Sequence, residues 1–316
     1  MSTKINMSTN INQSTSINRE ALAESSNPLG LDGIEFIEYT SSRPQALGQV
    51  LEMMGFRPVA RHRSREVLRY RQGSMNIIIN ARLPTLSSAT VQSATPTETP
   101  TIAAIALRVR DADRAYRRAL DRGAWAVPVQ VQPMELNIPA IHGVGSSRIY
   151  FVDRYRDFSI YDVDFVPIPT VDPNPPAQAG MHWFGLVQYI GLDRMEDWTE
   201  FYAEILGFQS LPAEQRFGIL PKGRILASPC ASFYLQLIEP EGGLIYMEGE
   251  ERLQRIGLGV PDVGVAVQLL RSHGIEFMEA SGGVHTDERG AVTQGYLGGV
   301  MFELVRSVSG LTRVES

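Results

Sequence analysis

One folding plan occurs twice along this chain, and this duplication restricts the fold more than any other feature of the sequence. The alternating segment Ile34–Tyr39 leads into an amphipathic helix that ends at Gly55-Phe56. The segment Phe184–Tyr189 leads in the same way into a helix that ends at Gly207-Phe208. The two halves of the chain are therefore expected to share one architecture.

Each half contains a second, similar unit, which begins with another apolar strand followed by a predicted helix. These strands are Ile105–Asp111 and Ile256–Asp262. Each half then closes with a predicted strand that carries a central acid, Asp162 in the first half and Glu303 in the second. The sequence thus predicts an α+β fold in which each half consists of paired β-α-β-β-β units that curl a mixed sheet around a cleft.

Stretches of low complexity suggest where the chain divides. Pro84 to Thr101 is rich in Ser, Thr, Ala and Pro and predicts a surface loop. Pro167 to Gly180 contains five prolines and predicts an extended linker. The predicted division is a disordered tail at residues 1–30, an N-terminal domain at 31–166, the linker at 167–180 and a C-terminal domain at 181–308.

Composition excludes several classes of protein. The formal net charge is −6 and the basic residues are spread along the chain, so nothing indicates nucleic-acid binding. No apolar run approaches the roughly 18 residues of a membrane span. The single cysteine, Cys230, rules out an internal disulfide framework and fits a reducing cytoplasm. We expect a cytoplasmic protein, and a homo-oligomer remains an open alternative.

The last predicted strand holds an unusual carboxylate. Glu303 lies within the largely apolar segment Gly299–Arg306. A carboxylate on a buried strand is costly unless a cation or hydrogen-bond donors compensate its charge. A metal ion is one partner that would do so. The sequence shows no zinc-ligand spacing, nucleophile elbow or phosphate-binding loop that would indicate another kind of site.

Motifs of a known family occur along the N-terminal half. They are Gly33–Glu38, His62–Gly73, Pro133–Ile141, Val152–Tyr155 and Ile160–Phe165. In these motifs the chain resembles the 4-hydroxyphenylpyruvate dioxygenases of the vicinal oxygen chelate superfamily. The resemblance is specific from about Leu31 to Val166 and fainter from His182 to Arg306. In that family the N-terminal half is largely scaffold, and the C-terminal half holds iron and substrate.

The resemblance implies a ferrous site with two histidines and one carboxylate, which Glu303 would supply. The two histidine positions fall on Gly185, which has no side chain, and on Arg255, whose charged guanidinium cannot ligate a metal. Gln236 and Gln254 remain as amide contacts to a substrate. We predict that Arg255 forms a buried ion pair with Glu303 in place of the metal, or anchors a substrate carboxylate.

A relocated iron site is the alternative, with His182 and His285 joining Glu303 as ligands. His182 precedes the expected ligand position by three residues, so a regular strand would turn its side chain to the opposite face. A bulge would be needed to turn it inward. His285 lies in a glycine-containing loop near the closing strands. Fe(II) is the expected cofactor if such a site is complete, and no cofactor is expected otherwise.

The N-terminal half has its own set of positions equivalent to the ligands. Glu35 and Asp162 occupy two of them, but Ala104 occupies the third. We therefore expect no metal in that half.

Three functions remain open for the C-terminal cleft. The first is an Fe(II)-dependent oxygenase acting on 4-hydroxyphenylpyruvate or a close aromatic 2-oxo acid. The second is a diverged enzyme with altered ligands, or with acid–base chemistry performed by Glu303. The third is a non-catalytic protein that binds an aromatic or acidic small molecule. Because two histidines are missing, we expect a diverged family member that takes an aromatic or 2-oxo acid, with Glu303 as its catalytic residue.

Overall fold

The repeated sequence pattern becomes a repeated pattern of strand pairing. A computed structural model describes residues 26–81, 99–128, 136–212, 223–240, 251–278 and 290–307. Over these residues, fifteen strands join in one continuous sheet, with helices packed against it. The structure is α+β, as predicted.

The N-terminal half consists of eight strands and three α-helices within its described residues. In chain order they are β1 (Leu31–Thr40), α1 (Pro44–Met53), β2 (Arg57–His62), β3 (Val67–Gln72), β4 (Met75–Asn80), β5 (Thr101–Val109), α2 (Ala112–Asp121), β6 (Ala140–His142), β7 (Arg148–Val152), α3 (Ile160–Asp164) and β8 (Phe165–Pro167).

The C-terminal half repeats this order with seven described strands and two α-helices. They are β9 (His182–Tyr189), α4 (Met195–Leu206), β10 (Gln209–Ser210), β11 (Arg224–Ala227), β12 (Tyr234–Ile238), β13 (Arg252–Val260), α5 (Val263–Ser272), β14 (Ala291–Val292) and β15 (Phe302–Arg306). Within the described residues, none of the helices is long and apolar enough to cross a membrane.

Strand pairing confirms the predicted duplication. β1 runs parallel to β4 and antiparallel to β5, and β9 runs parallel to β12 and antiparallel to β13. β5 then pairs in parallel with β7, as β13 does with β15. The two halves meet in the sheet where Leu253 of β13 pairs with Ile102 of β5.

The main core lies between the sheet and its helices. In the C-terminal half, alternate strand residues and one face of each helix contribute to it, which is the periodicity that the sequence shows. The strand residues include Leu186, Leu235, Ile256, Leu258, Phe302 and Leu304, and the helical ones Tyr202, Ile205, Val263, Val267 and Leu270. The opposite face of the same strands is left to form the cleft.

Aspartates define where two of the helices begin. The Asp111 carboxylate accepts a hydrogen bond from the backbone N–H of Arg114 at the start of α2, at 2.8 Å. Asp262 does the same for Val265 at the start of α5, also at 2.8 Å. Each carboxylate satisfies a backbone donor that has no partner within the helix. The two helices therefore begin with the same kind of aspartate cap, as expected for a duplicated unit.

The predicted closing strand of the N-terminal half, at Tyr161-Asp162, is wrong. These residues lie in the short helix α3. The cause is a capping box: the Asp162 carboxylate accepts from the backbone N–H and the hydroxyl of Ser159, at 2.7 and 3.0 Å. The strand that closes this unit in the position of β15 is β7.

The proline-rich segment at 167–180 lies along the N-terminal half. The Gly73 N–H donates to the Pro175 carbonyl at 2.8 Å, and the Gln178 N–H donates to the Gln72 side chain at 3.1 Å. Ahead of the first strand, Asn27 accepts from the Leu31 N–H at 2.8 Å. Residues 1–25 and 82–98 lie outside the described residues, and the division of the chain into domains stays a prediction.

Candidate functional site

Strand register brings the three predicted site positions onto one face of the C-terminal sheet. Gly257 of β13 pairs with Gly185 of β9 on one side and with Glu303 of β15 on the other. Arg255, two residues before Gly257, pairs with Val187. Residues that are directly opposite in a ladder point to the same face. Gly185, Arg255 and Glu303 therefore share the face that the helices leave open.

Arg255 and Glu303 form the ion pair that the sequence predicts. The Nε of Arg255 donates to Oε2 of Glu303 at 2.9 Å, and their side chains are only 3% and 5% exposed. The pair is thus confirmed, and each charge compensates the other in a buried setting. The guanidinium retains an unused donor: its Nη2 is buried and meets no hydrogen-bond acceptor among the described residues.

The backbone around Gly185 leaves no room for a side chain. A Cβ built there would overlap the backbone carbonyl oxygen of Tyr234, the residue opposite it on β12. The obstacle is backbone rather than a flexible side chain, so β9 and β12 would have to separate to admit a larger residue. Glycine is used here for the close approach of two strands.

A small cleft with a cavity volume of about 30 Å³ lies on this face of the sheet and is partly open to solvent. Its walls are mainly apolar and aromatic, with two polar side chains. They are Phe184, Gly185, Leu186, Val187, Ile225, Tyr234, Gln236, Gly257, Glu303 and Val305. The rings of Phe184 and Tyr234 lie 5.0 Å apart between centroids. A mainly apolar lining with a few polar groups is typical of sites for small molecules.

The two predicted amide contacts differ in position. Gln236 lines the cleft, as does Glu303. Gln254 does not line it; its side-chain oxygen accepts a hydrogen bond from Arg252 at 2.6 Å. A substrate-binding role for Gln236, Gln254 and Arg255 stays a prediction, and the geometry favours Gln236 over Gln254.

His182 faces the same side of the sheet as the site, because β9 contains the bulge that an inward side chain requires. Pairing passes from Gly257–Gly185 to Leu258–Trp183 and skips one residue of β9. The His182 ring then packs over Gly259. One ring nitrogen lies 3.0 Å from the Gly180 carbonyl and the other 3.1 Å from the Ser307 hydroxyl.

The side chains at the family's three ligand positions do not fit a ferrous centre. Of those three positions, only Glu303 offers a metal ligand, and its carboxylate is bonded to Arg255. The described parts of the chain contain no group of three His, Cys, Asp or Glu side chains that would hold a metal ion. His285 lies outside the described residues, so a relocated site with His182, His285 and Glu303 stays a prediction.

In the N-terminal half, different residues occupy the positions that correspond to the candidate site. Tyr150 pairs with Ala106 as Glu303 pairs with Gly257, so Tyr150, not Asp162, is the counterpart of Glu303. Burial, followed by the charge of Glu38, raises the pKa of Tyr150 to about 12, which keeps the phenol protonated. The expected equivalence of Glu35 with Gly185 is wrong: Phe36 pairs with Ala106 as Gly185 pairs with Gly257, and Glu35, which the β1–β5 pairing skips, is bonded to Arg108 at 2.6 Å.

Sequence reasoning missed most of the residues that line the cleft. Ile225, Tyr234 and Val305 lie on the three strands that flank it. For Tyr234 and Val305 the signal was the alternation of each strand, because they lie two residues from Gln236 and Glu303. Phe184 could not be found in this way, since it is the residue that the bulge skips.

Comparisons with known proteins agree with the fold. A family model described as the N-terminal domain of hydroxyphenylpyruvate dioxygenase matches residues 25–166. The 4-hydroxyphenylpyruvate dioxygenase of Pseudomonas aeruginosa is 34% identical over 271 residues, 82% of this chain and 74% of that protein. A protein named hemolysin VllY from Vibrio vulnificus is 33% identical over 270 residues, 81% of this chain and 74% of its own.

A solved structure extends the likeness to most of the chain. A mutant 4-hydroxymandelate synthase from Streptomyces coelicolor superposes with a TM-score of 0.67 at 16% identity, covering 88% of this chain and 94% of that one. At this identity the likeness bears on the fold alone. Taken with the family model and the two sequence relatives, it shows that the chain belongs to the 4-hydroxyphenylpyruvate dioxygenase family and has the vicinal oxygen chelate fold.

Proposed function

We propose that this chain is a diverged member of the family that takes a small aromatic or 2-oxo acid into its C-terminal cleft without an iron centre. The observation that carries the proposal is the 2.9 Å contact between Arg255 and Glu303, at two of the three positions where the family places iron ligands. The guanidinium supplies there a fixed positive charge, which a divalent cation would otherwise bring.

The lining of the cleft favours an aromatic ligand. Phe184 and Tyr234 offer ring surfaces, and Val187, Ile225 and Val305 add apolar walls. Gln236 and Glu303 are the polar groups that would orient the ligand. A pocket with a mainly apolar lining and a few placed polar groups is typical of sites for small molecules.

Iron binding is the direct test. After anaerobic loading with Fe(II) and desalting, we expect metal analysis to find only traces of iron, because one carboxylate already paired with a guanidinium is a poor ligand set. We also expect no oxygen uptake with 4-hydroxyphenylpyruvate. The Pseudomonas aeruginosa relative, treated in parallel, serves as the positive control.

The alternative function is an active Fe(II)-dependent oxygenase with relocated ligands. The observation in its favour is that His182 faces the same side of the sheet as Glu303. Stoichiometric iron that is lost in both His182→Ala and His285→Ala would establish that alternative and overturn the proposal.

Proton transfer is the chemistry that Glu303 offers without a metal. Its carboxylate lines the cleft, so it can accept a proton from the carbon beside a bound ligand's carbonyl, and the electron pair passes to the carbonyl oxygen. We expect the protein to speed exchange of the C3 protons of 4-hydroxyphenylpyruvate in D₂O by about a hundredfold or more over buffer, as followed by NMR.

The matched controls for this exchange are two isosteric variants. Glu303→Gln is expected to return the rate to that of buffer. Glu35→Gln changes the buried carboxylate of the N-terminal pair and is expected to leave the rate unchanged. If exchange with the unmodified protein proceeds only at the buffer rate, Glu303 has no catalytic role in it, and the proposal is reduced to a protein that binds its ligand.

A further inference from the structure

A second groove lies where the two halves of the chain meet, and it shares no residue with the C-terminal cleft. Its volume is about 410 Å³, within the range of about 300 to 1,000 Å³ that is usual for small-molecule sites. It is lined by Gln49, Glu52 and Met53 of α1, by Arg57 at the start of β2, and by His273 just after α5. The groove is open to solvent, so a ligand can reach its polar groups.

The groove contains two opposite charges that have no ion-pair partner. Glu52 and Arg57 are both exposed. Within the described residues neither side chain forms an ion pair, with the other or with a third group. Opposite charges that share a groove without contact leave space between them for a ligand that carries both signs.

His273 adds a hydrogen-bond acceptor to the groove. Its Nδ1 lies 3.2 Å from the Met53 carbonyl oxygen. A carbonyl oxygen can only accept, so Nδ1 carries the proton, and Nε2 of the neutral ring is an acceptor. Nε2 has no partner among the residues that the structure describes. The hydrogen bond to Met53 also joins the C-terminal half to the N-terminal half and fixes the orientation of the ring.

Strand pairing places a second arginine next to Arg57. Arg57 of β2 lies directly opposite Arg71 of β3, and like charges at such positions are unfavourable. The Arg71 guanidinium donates to the carbonyl oxygens of Gly73 and Pro173, at 2.9 and 3.3 Å. The Arg57 guanidinium has no such acceptor among the described residues. An anionic group bound at Arg57 would therefore compensate a positive charge that the fold leaves uncompensated.

These charges exclude simple ions as good ligands for the groove. A divalent cation at Glu52 and His273 would be repelled by Arg57, and a plain anion at Arg57 would be repelled by Glu52. A zwitterion instead places each of its charges against the opposite one. The ammonium group of an α-amino acid has three N–H donors, and Glu52, His273 and Gln49 offer three acceptors. Its carboxylate matches the forked donors of a guanidinium.

We propose that this groove is a binding site for a free α-amino acid, with the ligand's carboxylate on Arg57 and its ammonium group on Glu52 and His273. Met53 supplies an apolar contact for the ligand's side chain. The site is separate from the C-terminal cleft and does not depend on the function proposed for it. Because the groove lies between the halves, the ligand contacts both of them.

Three ligands with the same side chain test the two charged contacts. They are L-leucine with both charges, L-leucine methyl ester with the ammonium group alone, and N-acetyl-L-leucine with the carboxylate alone. Dissociation constants are measured by ligand-observed NMR titration of the full chain. We expect L-leucine to bind at least about threefold more tightly than either derivative, the effect of losing one solvent-exposed ion pair.

Two neutral variants assign each ligand group to its residue. In Arg57→Gln the preference for L-leucine over its methyl ester is expected to disappear, while the preference over N-acetyl-L-leucine remains. In Glu52→Gln the reverse is expected. Arg61→Gln and Glu200→Gln remove exposed charges outside the groove and serve as controls that keep both preferences. All four positions are exposed, so the variants are expected to fold, and circular dichroism checks this.

Three results would overturn the inference. The first is no detectable binding of L-leucine at about 10 mM, which is weaker than the usual range for a small ligand. The second is equal affinity of the unmodified protein for all three ligands, since the charges would then contribute nothing. The third is that both preferences persist in Arg57→Gln and Glu52→Gln, which would place the bound leucine elsewhere on the protein.

Discussion

Replacing Arg255 with methionine is expected to lower the free energy of unfolding by about 3–5 kcal/mol, the range for breaking one side of a buried ion pair. The substitution leaves Glu303, only 5% exposed in its side chain, without the guanidinium that now contacts it at 2.9 Å. Most of the loss reflects a buried carboxylate that has lost its guanidinium, rather than the strength of the original bond. Urea unfolding monitored by circular dichroism measures it.

Two further variants show whether the lost charge compensation of Glu303 is the cause. The double variant Arg255→Met/Glu303→Leu removes both charges and is expected to recover most of the lost stability, because an apolar pair can replace a buried ion pair. Arg122→Ala removes an exposed partner of Glu204, where the two side chains are 48% and 62% exposed, and should leave the midpoint unchanged. A loss below about 1 kcal/mol for Arg255→Met would place the pair among surface ion pairs and contradict the assignment.

The Arg255–Glu303 pair shows how much of the site was open to prediction from the sequence. The duplication located β9, β13 and β15, and the resemblance aligned one position on each with an iron ligand. Arg255 and Glu303 occupy two of these positions and carry opposite charges. Because neighbouring strands in register bring these positions close together, a contact between the two side chains could be predicted. The periodicity of two for strands and 3.6 for helices likewise predicted the core.

Local interactions explain what the sequence did not predict. The bulge that skips Phe184 changes the face of every residue before it on β9, and nothing in the alternation indicates where a bulge falls. The helix α3 depends on side-chain bonds between Ser159 and Asp162, which compete with strand pairing. The unused Nη2 of Arg255 depends on atomic positions that no pattern of residue types contains.

Restoring a ligand side chain at residue 185, the family's first ligand position, is expected to fail because the backbone leaves no room for it. A single methyl group at residue 185 already overlaps the Tyr234 carbonyl oxygen across the β9–β12 ladder. We expect Gly185→Ala to lower the free energy of unfolding by about 3 kcal/mol or more, at the upper end for overpacking, because a strand must shift rather than a side chain. The measurement is again urea unfolding.

Gly257→Ala is the matched control, since Gly257 pairs directly with Gly185 on the neighbouring strand. A Cβ there would lie 3.5 Å from its nearest neighbours, which is ordinary van der Waals contact, so we expect a change within about 1 kcal/mol. The same geometry predicts that Gly185→His/Arg255→His, which returns both histidines to the sequence, yields no stoichiometric iron site. A folded double variant that binds one Fe(II) would show that β9 and β12 can separate, and that charge at residue 255 alone keeps the metal out.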